Sequence, residues 1–202
     1  MDKQIIIALG REFGSGGHEA AEIIARKYNI PFLDHSLLQN ISEEKSIDLG
    51  ILEKYDEQPR NIILSRTVAG YTNALEEHVA RIQFDYIRSL ADKGKSFVVV
   101  GRCAEHVLKD CSAMISIFVS GDRKSKCERI MHKYGLSEDE ALHMMKRKDT
   151  TRKNYHNYYC DGKWGDSRNY DVCINSSIFG IDGVVDFIDY LIKNRMESSD
   201  EG

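Results

Sequence analysis

Three blocks of this 202-residue chain carry residue types suited to holding phosphate. The first is Gly10-Arg11-Glu12-Phe13-Gly14-Ser15-Gly16-Gly17-His18, set between an apolar run and a helical pattern. Glycines at 14, 16 and 17 let successive backbone N–H groups turn toward one point, and the following helix adds the partial positive charge of its N-terminus. Such a loop can cradle phosphate oxygens; a glycine-rich turn can equally be no more than a tight connection. The second block is Gly101-Arg102, which closes the apolar run from Ser96 to Val100. An arginine at the end of a buried strand, beside a phosphate loop, can hold an anion through two parallel N–H bonds. The third is the run from Lys146 to Lys153, in which a helix puts Asp149 and Lys148 on the face of Arg152. A solvated charged face accounts for that run as well. Asp34, closing the short run Ile30-Pro31-Phe32-Leu33, could touch the loop backbone, a divalent metal ion or a nucleotide, or cap the helix that begins at Ser36.

The elements that must position these residues follow from hydrophobic pattern. Strands are expected at Gln4–Leu9, Ile30–Leu33, Ser96–Val100, Ala113–Val119 and Tyr170–Ile174. Helices are expected from about His18 to Tyr28, through most of 36–93 with breaks near Gly50, Pro59 and Gly70, and at Ala104–Lys109 and Asp122–Tyr134. Ser137 with Glu140 has the form of a capping box and starts a helix near Leu136. A loop is expected over 154–169, then a C-terminal amphipathic helix turning Val184, Ile188, Leu191 and Ile192 inward. The acidic tail from Glu197 to Gly202 reads as a frayed end. Strands alternating with helices imply an α/β fold, a five-stranded mostly parallel sheet with helices on both faces, whose ligands bind at the carboxyl ends of the strands. All the candidate residues fall at such ends.

Composition narrows the rest. Hydrophobic residues make up 42% and charged residues 30%, with a net charge of −4. That balance gives no general attraction to nucleic acid or to an anionic membrane, so any phosphate binding is the work of a local site. No run approaches the roughly 18 apolar residues of a membrane span, and the start has no signal-peptide layout. Cys103, Cys111, Cys127, Cys160 and Cys173 are scattered without a CxxC pair. They read as reduced, buried thiols of a cytoplasmic protein, and their spacing argues against a zinc site.

The segment GREFGSGGHEAA, with PFLD after the helix, resembles the opening of the cytidylate-kinase-like family, a branch of the nucleoside monophosphate kinases. VVVGRCAEHVL is similar to that family's Gly-Arg block, and NYDVCINSS to the strand after its lid. Asp149-x-x-Arg152 matches the lid Asp-x-x-Arg of relatives that select cytidine monophosphate. The resemblance implies one P-loop kinase-like domain with a helical monophosphate-binding insertion over about 36–93 and a lid over about 137–169. It implies transfer of the γ-phosphoryl of ATP to CMP or a similar small acceptor, with Mg²⁺ accompanying ATP. Arg11, Gly14, Ser15, Gly16, Gly17 and His18 would hold donor phosphates; Asp34, Arg102, Asp149 and Arg152 would hold the acceptor. Arg102, Arg147, Asp149 and Arg152 would be the catalytic set, with Arg129 a further donor-phosphate contact.

Three departures qualify that expectation. The usual loop lysine, which reaches the β- and γ-phosphates, is Gly17; the following hydroxyl, which holds Mg²⁺, is His18; the loop's first glycine is Arg11. Histidine, with an ordinary pKa of about 6.5, is mostly neutral at pH 7, so Arg11 is the better substitute charge. The same departures leave open a non-catalytic nucleotide-binding module. Asn40 stands where the family has an arginine after Asp34, which keeps another small acceptor in view. Tyr155 and Trp164 could stack on a base or pack in the core.

Overall fold

The computed structural model describes residues 3–34, 36–58, 67–68, 71–72 and 74–197. Its main sheet contains β1 (Ile6–Arg11), β2 (Phe32–Leu33), β5 (Phe97–Val100), β6 (Met114–Ser120) and β7 (Val172–Asn175). They run in the order β2-β5-β1-β6-β7, and every neighbouring pair is parallel. A separate two-stranded antiparallel ribbon joins β3 (Thr67–Val68) to β4 (Tyr71–Thr72). The helices are α1 (Gly17–Lys27), α2 (Ser36–Lys45), α3 (Leu49–Lys54), α4 (Leu75–Asp92), α5 (Ala104–Val107), α6 (Arg123–Tyr134), α7 (Glu138–Tyr159) and α8 (Ser176–Glu197).

The strands are apolar on both sides because both faces are covered. Ile6, Ala8, Phe97 and Val99 point into a core closed by α2, α4, α5 and Tyr155. Their alternates Ile7, Leu9, Val98 and Val100 point into a second core closed by α1 and α8. Side-chain alternation along a strand thus feeds two cores from one run of residues. A third, smaller cluster of Cys127, Ile130, Ala141 and Met145 holds α6 to α7, with Phe13 of the glycine loop against it.

The observed elements differ from the expected ones at a few informative places. β1 extends to Arg11, because Gly10 and Arg11 continue the pairing with Phe118 and Val119 of β6. The break expected at Gly50 falls earlier, at Ser46, whose φ is 53°; Asp48 then caps α3 by accepting from the Ile51 N–H at 3.0 Å. The breaks expected at Pro59 and Gly70 lie outside the described residues, as do residues 198–202 of the acidic tail. The expected loop from 154 is instead the last turn and a half of α7, because Tyr155 and Tyr159 pack their rings inward at 4.9 Å beside Phe84. Val184, Ile188 and Ile192 are buried as the amphipathic pattern requires, while Leu191 is half-buried. Among the described residues no helix is long and apolar enough to cross a membrane.

Candidate anion-binding site at the carboxyl edge of the sheet

The glycine loop leaves β1 and enters α1 through Gly16, the N-cap of the helix, whose φ of 80° lies in the left-handed region that favours glycine. Ser15 is fully buried and shapes the loop from inside. Its hydroxyl donates to the Glu12 carbonyl at 2.9 Å and accepts from the Gly17 N–H at 3.4 Å. The N–H groups of Gly14 and Gly16 have no acceptor among the described residues. Two later elements brace the loop. Arg129 of α6 donates to the Gly14 carbonyl. Asp149 of α7 accepts from the Phe13 N–H at 2.7 Å. Lys126 and the Gly121 N–H meet Glu12 at 2.7 and 3.1 Å and tie the loop to the end of β6.

Beside the loop, three arginines face two carboxylates. The turn after β5 is left-handed at three successive residues, with φ of 77° at Gly101, 57° at Arg102 and 54° at Cys103. Two of these are not glycine, which is a strained backbone of the kind found at functional sites. The turn sends the Arg102 guanidinium, 3% exposed, to Asp56 at 2.8 Å and Glu57 at 3.0 Å. Arg11 reaches the same Glu57 oxygen at 3.4 Å. This pair passes where a side chain at Gly101 would stand: a Cβ there would lie 2.3 Å from both Arg11 and Glu57. Arg152 donates to the Arg11 carbonyl at 3.5 Å, with its guanidinium 5.5 Å from the centre of the Phe13 ring.

Charge is dense enough here to move titrations. Burial alone would raise Glu57, but Arg11, Arg102 and Arg152 outweigh it and hold the carboxyl well below its ordinary 4.5. Arg152 is pushed down to about 10, first by burial and then by Arg11. Burial also raises Asp149 above its ordinary value, against the pull of the Phe13 N–H. The Nε groups of Arg11 and Arg102 are buried without an acceptor among the described residues. The arrangement is a concentrated cationic site, part-neutralised by Glu57 and Asp56, with donor capacity to spare.

The structure therefore gathers Arg11, Gly14, Ser15, Gly16, Gly17, Arg102, Asp149 and Arg152 in one neighbourhood. His18 and Asp34 pair with each other at its rim, 3.0 Å apart, and Asp34 also accepts from the Ser36 N–H at 3.1 Å, so its capping contact at α2 is real. Arg147 stays apart: it is exposed, and its side chain has no partner among the described residues. Tyr155 is core, and Trp164 packs edge-on against Phe118 at 5.4 Å. Asp56 and Glu57 were not legible in the sequence. They sit in the weakly patterned stretch after α3, and only the fold brings them to Arg102. The cysteines were likewise read as scattered, yet the fold sets Cys160 beside Glu105 and His156.

Comparison with known proteins agrees with this geometry. The family model described as "Cytidylate kinase-like family" matches residues 6–178. A cytidylate kinase of Methanococcus aeolicus is 30% identical over 95% of this chain and 99% of its own length. One from Methanocaldococcus jannaschii is 26% identical over 94% of this chain and 98% of its own. Among solved structures, an uncharacterized protein from Eubacterium ventriosum is 41% identical and superposes with a TM-score of 0.74, covering 94% of this chain and 99% of that one. The fold is also shared with shikimate kinase from Bacteroides thetaiotaomicron, at 14% identity and a TM-score of 0.54 over 94% of this chain and 98% of that one. A sheet of this kind, with helices on both faces, binds its ligands outside the carboxyl ends of the strands, where the cationic loop lies. The chain belongs to the cytidylate kinase-like family.

Proposed function

We propose that the protein transfers the γ-phosphoryl of ATP to CMP or a similar small acceptor. The observation that carries this reading is the gathering of Arg11, Arg102 and Arg152 about one carboxylate, Glu57, beside the glycine loop. Glu57 is a stand-in anion: a phosphate has the charge and the acceptor oxygens to take its place. The relatives named cytidylate kinase make cytidylate the first acceptor to test.

In this reading the free N–H groups of Gly14 and Gly16 and the start of α1 hold the donor phosphates. Arg11 supplies the charge that a lysine supplies in ordinary relatives. Arg102 and Arg152 neutralise charge on the transferring group and orient the acceptor. Arg147 joins them only if the stretch 137–169 closes as a lid over bound nucleotide. Asp149 positions the loop through Phe13, and α2, α3 and α4 line the acceptor side. Mg²⁺ fits as the partner of ATP: Asp34 is the carboxylate at the loop, and phosphate oxygens and water would complete a hard-oxygen set. Bound there, the ion would screen the phosphate charges.

Gly17 and His18 favour a second reading, a nucleotide-binding module without turnover. ADP release from Mg-ATP, with and without CMP, separates the two. CMP-dependent turnover that falls by about 100-fold or more in both Arg102→Ala and Arg152→Ala supports the kinase. Saturable binding of ATP or CMP with no turnover in the wild type would replace it with the binding module.

A further inference from the structure

A second polar cluster lies behind the cationic site, where the start of α5 meets the end of α7. His156 Nε2 stands 2.6 Å from Glu105 Oε1, and both side chains are 7% exposed. With Cys160 Sγ they form a group whose donor atoms all lie within 4.8 Å of one another. We propose that Glu105, His156 and Cys160 bind a divalent zinc ion.

The chemistry of the donors selects the ion. Zinc accepts sulfur, nitrogen and carboxylate oxygen together and favours four ligands in a tetrahedron. Magnesium and calcium require oxygen sets, which this cluster does not offer. His156 and Cys160 are one helical turn apart, so α7 presents both on one side. Glu105 comes from α5, and the ion would join the two elements. A zinc ion about 2.0–2.3 Å from its ligands separates them by roughly 3–4 Å, which these side chains reach by small rotations. Charge also balances: one thiolate and the Glu105 carboxylate offset the divalent ion, leaving little net charge in a buried place. The sequence hides the site because its ligands come as a lone Glu105 and an H-x-x-x-C pair, more than fifty residues apart, and not as paired CxxC.

The test uses the whole chain, reduced, stripped with a chelator and titrated with Co²⁺ as a spectroscopic probe. The expected result is a thiolate-to-cobalt charge-transfer band with the visible bands of a tetrahedral ion, saturating at a single equivalent and bleached by Zn²⁺. His156→Gln and Cys160→Ser should each weaken zinc binding by on the order of 100-fold, and Cys173→Ser should leave it unchanged. Circular dichroism and thermal melts establish that the variants are folded. Absence of the thiolate band and of saturable zinc uptake in the wild type overturns the proposal, whatever the variants do. So does undiminished zinc affinity in Cys160→Ser.

Discussion

Gly17 occupies the position of the lysine in ordinary members of the wider class, and its surroundings explain why a lysine cannot simply be restored. A Cβ at Gly17 would lie 3.0 Å from the Cβ atoms of both Arg11 and Val119, tighter than a relaxed packing contact. Arg11 occupies that space, and in the proposed reading it also supplies the charge. Gly17→Lys is therefore expected to lower stability by about 1–3 kcal/mol and not to raise ATP turnover; urea denaturation and ADP release check the two parts. Glu57 makes a different prediction, through pH. Its carboxyl is held below the ordinary value of 4.5, so the stability it contributes is fully present above that value. That contribution is lost as pH falls below 4.5 toward the folded-state value. Denaturant midpoints followed from pH 7 to pH 3 should drop in the wild type over that window, and Glu57→Gln should flatten the acid limb. If the two proteins lose stability in parallel, Glu57 is not the group responsible.

At the scale of elements, α7 is the strut of the site. Its N-terminus is fixed by a full capping box, with the Glu140 N–H donating to the Ser137 hydroxyl at 3.4 Å and the Ser137 N–H to the Glu140 carboxylate at 2.9 Å. Its middle supplies Asp149 and Arg152 to the loop, and its end supplies Tyr155 to the core. Ser137→Ala should cost about 1 kcal/mol of stability and leave any turnover unchanged, because the cap lies about 18 Å along α7 from Asp149. Asp149→Ala removes the acceptor of the Phe13 N–H. Amide exchange at Phe13 should then speed up markedly, whereas Asp149→Asn, which keeps an oxygen, should preserve most of the protection. The start of α7 was legible because Ser137 and Glu140 have a local signature. Its end was not: polar residues such as Asn154 and Asn157 look loop-like in the sequence, and the inward packing of Tyr155 and Tyr159 decides the matter through contacts with α4.

For the whole molecule, the sheet and its order of elements followed from apolar runs and glycine turns, since both are local patterns. The glycine loop, Arg102 and Asp149 with Arg152 could be named for the same reason. What pairs with them could not. Asp56 and Glu57 meet Arg102 only because β5 lies next to β1 and because α2 and α3 fold back over that edge. A phosphate that displaces Glu57 should therefore have opposite effects at the two sides of the site. With saturating ATP or CMP, exchange protection should rise over Gly14 to Gly17 and fall over Ile51 to Glu57, as the end of α3 loses its hold on Arg102. Uniform protection of both segments would show that Glu57 keeps its arginines when ligand binds.

The central position of β1 has a consequence for how the chain is made. Ile6 is translated well before its neighbours in the finished sheet, Phe97 and Met114. Until the chain has been translated through Val100, β1 has neither partner strand, and until Ser120 it lacks the second. The nascent protein thus carries an unpaired hydrophobic strand while the long segment between β1 and β5 is made, and its yield in cells should depend on elongation rate and chaperone supply more than its final stability suggests.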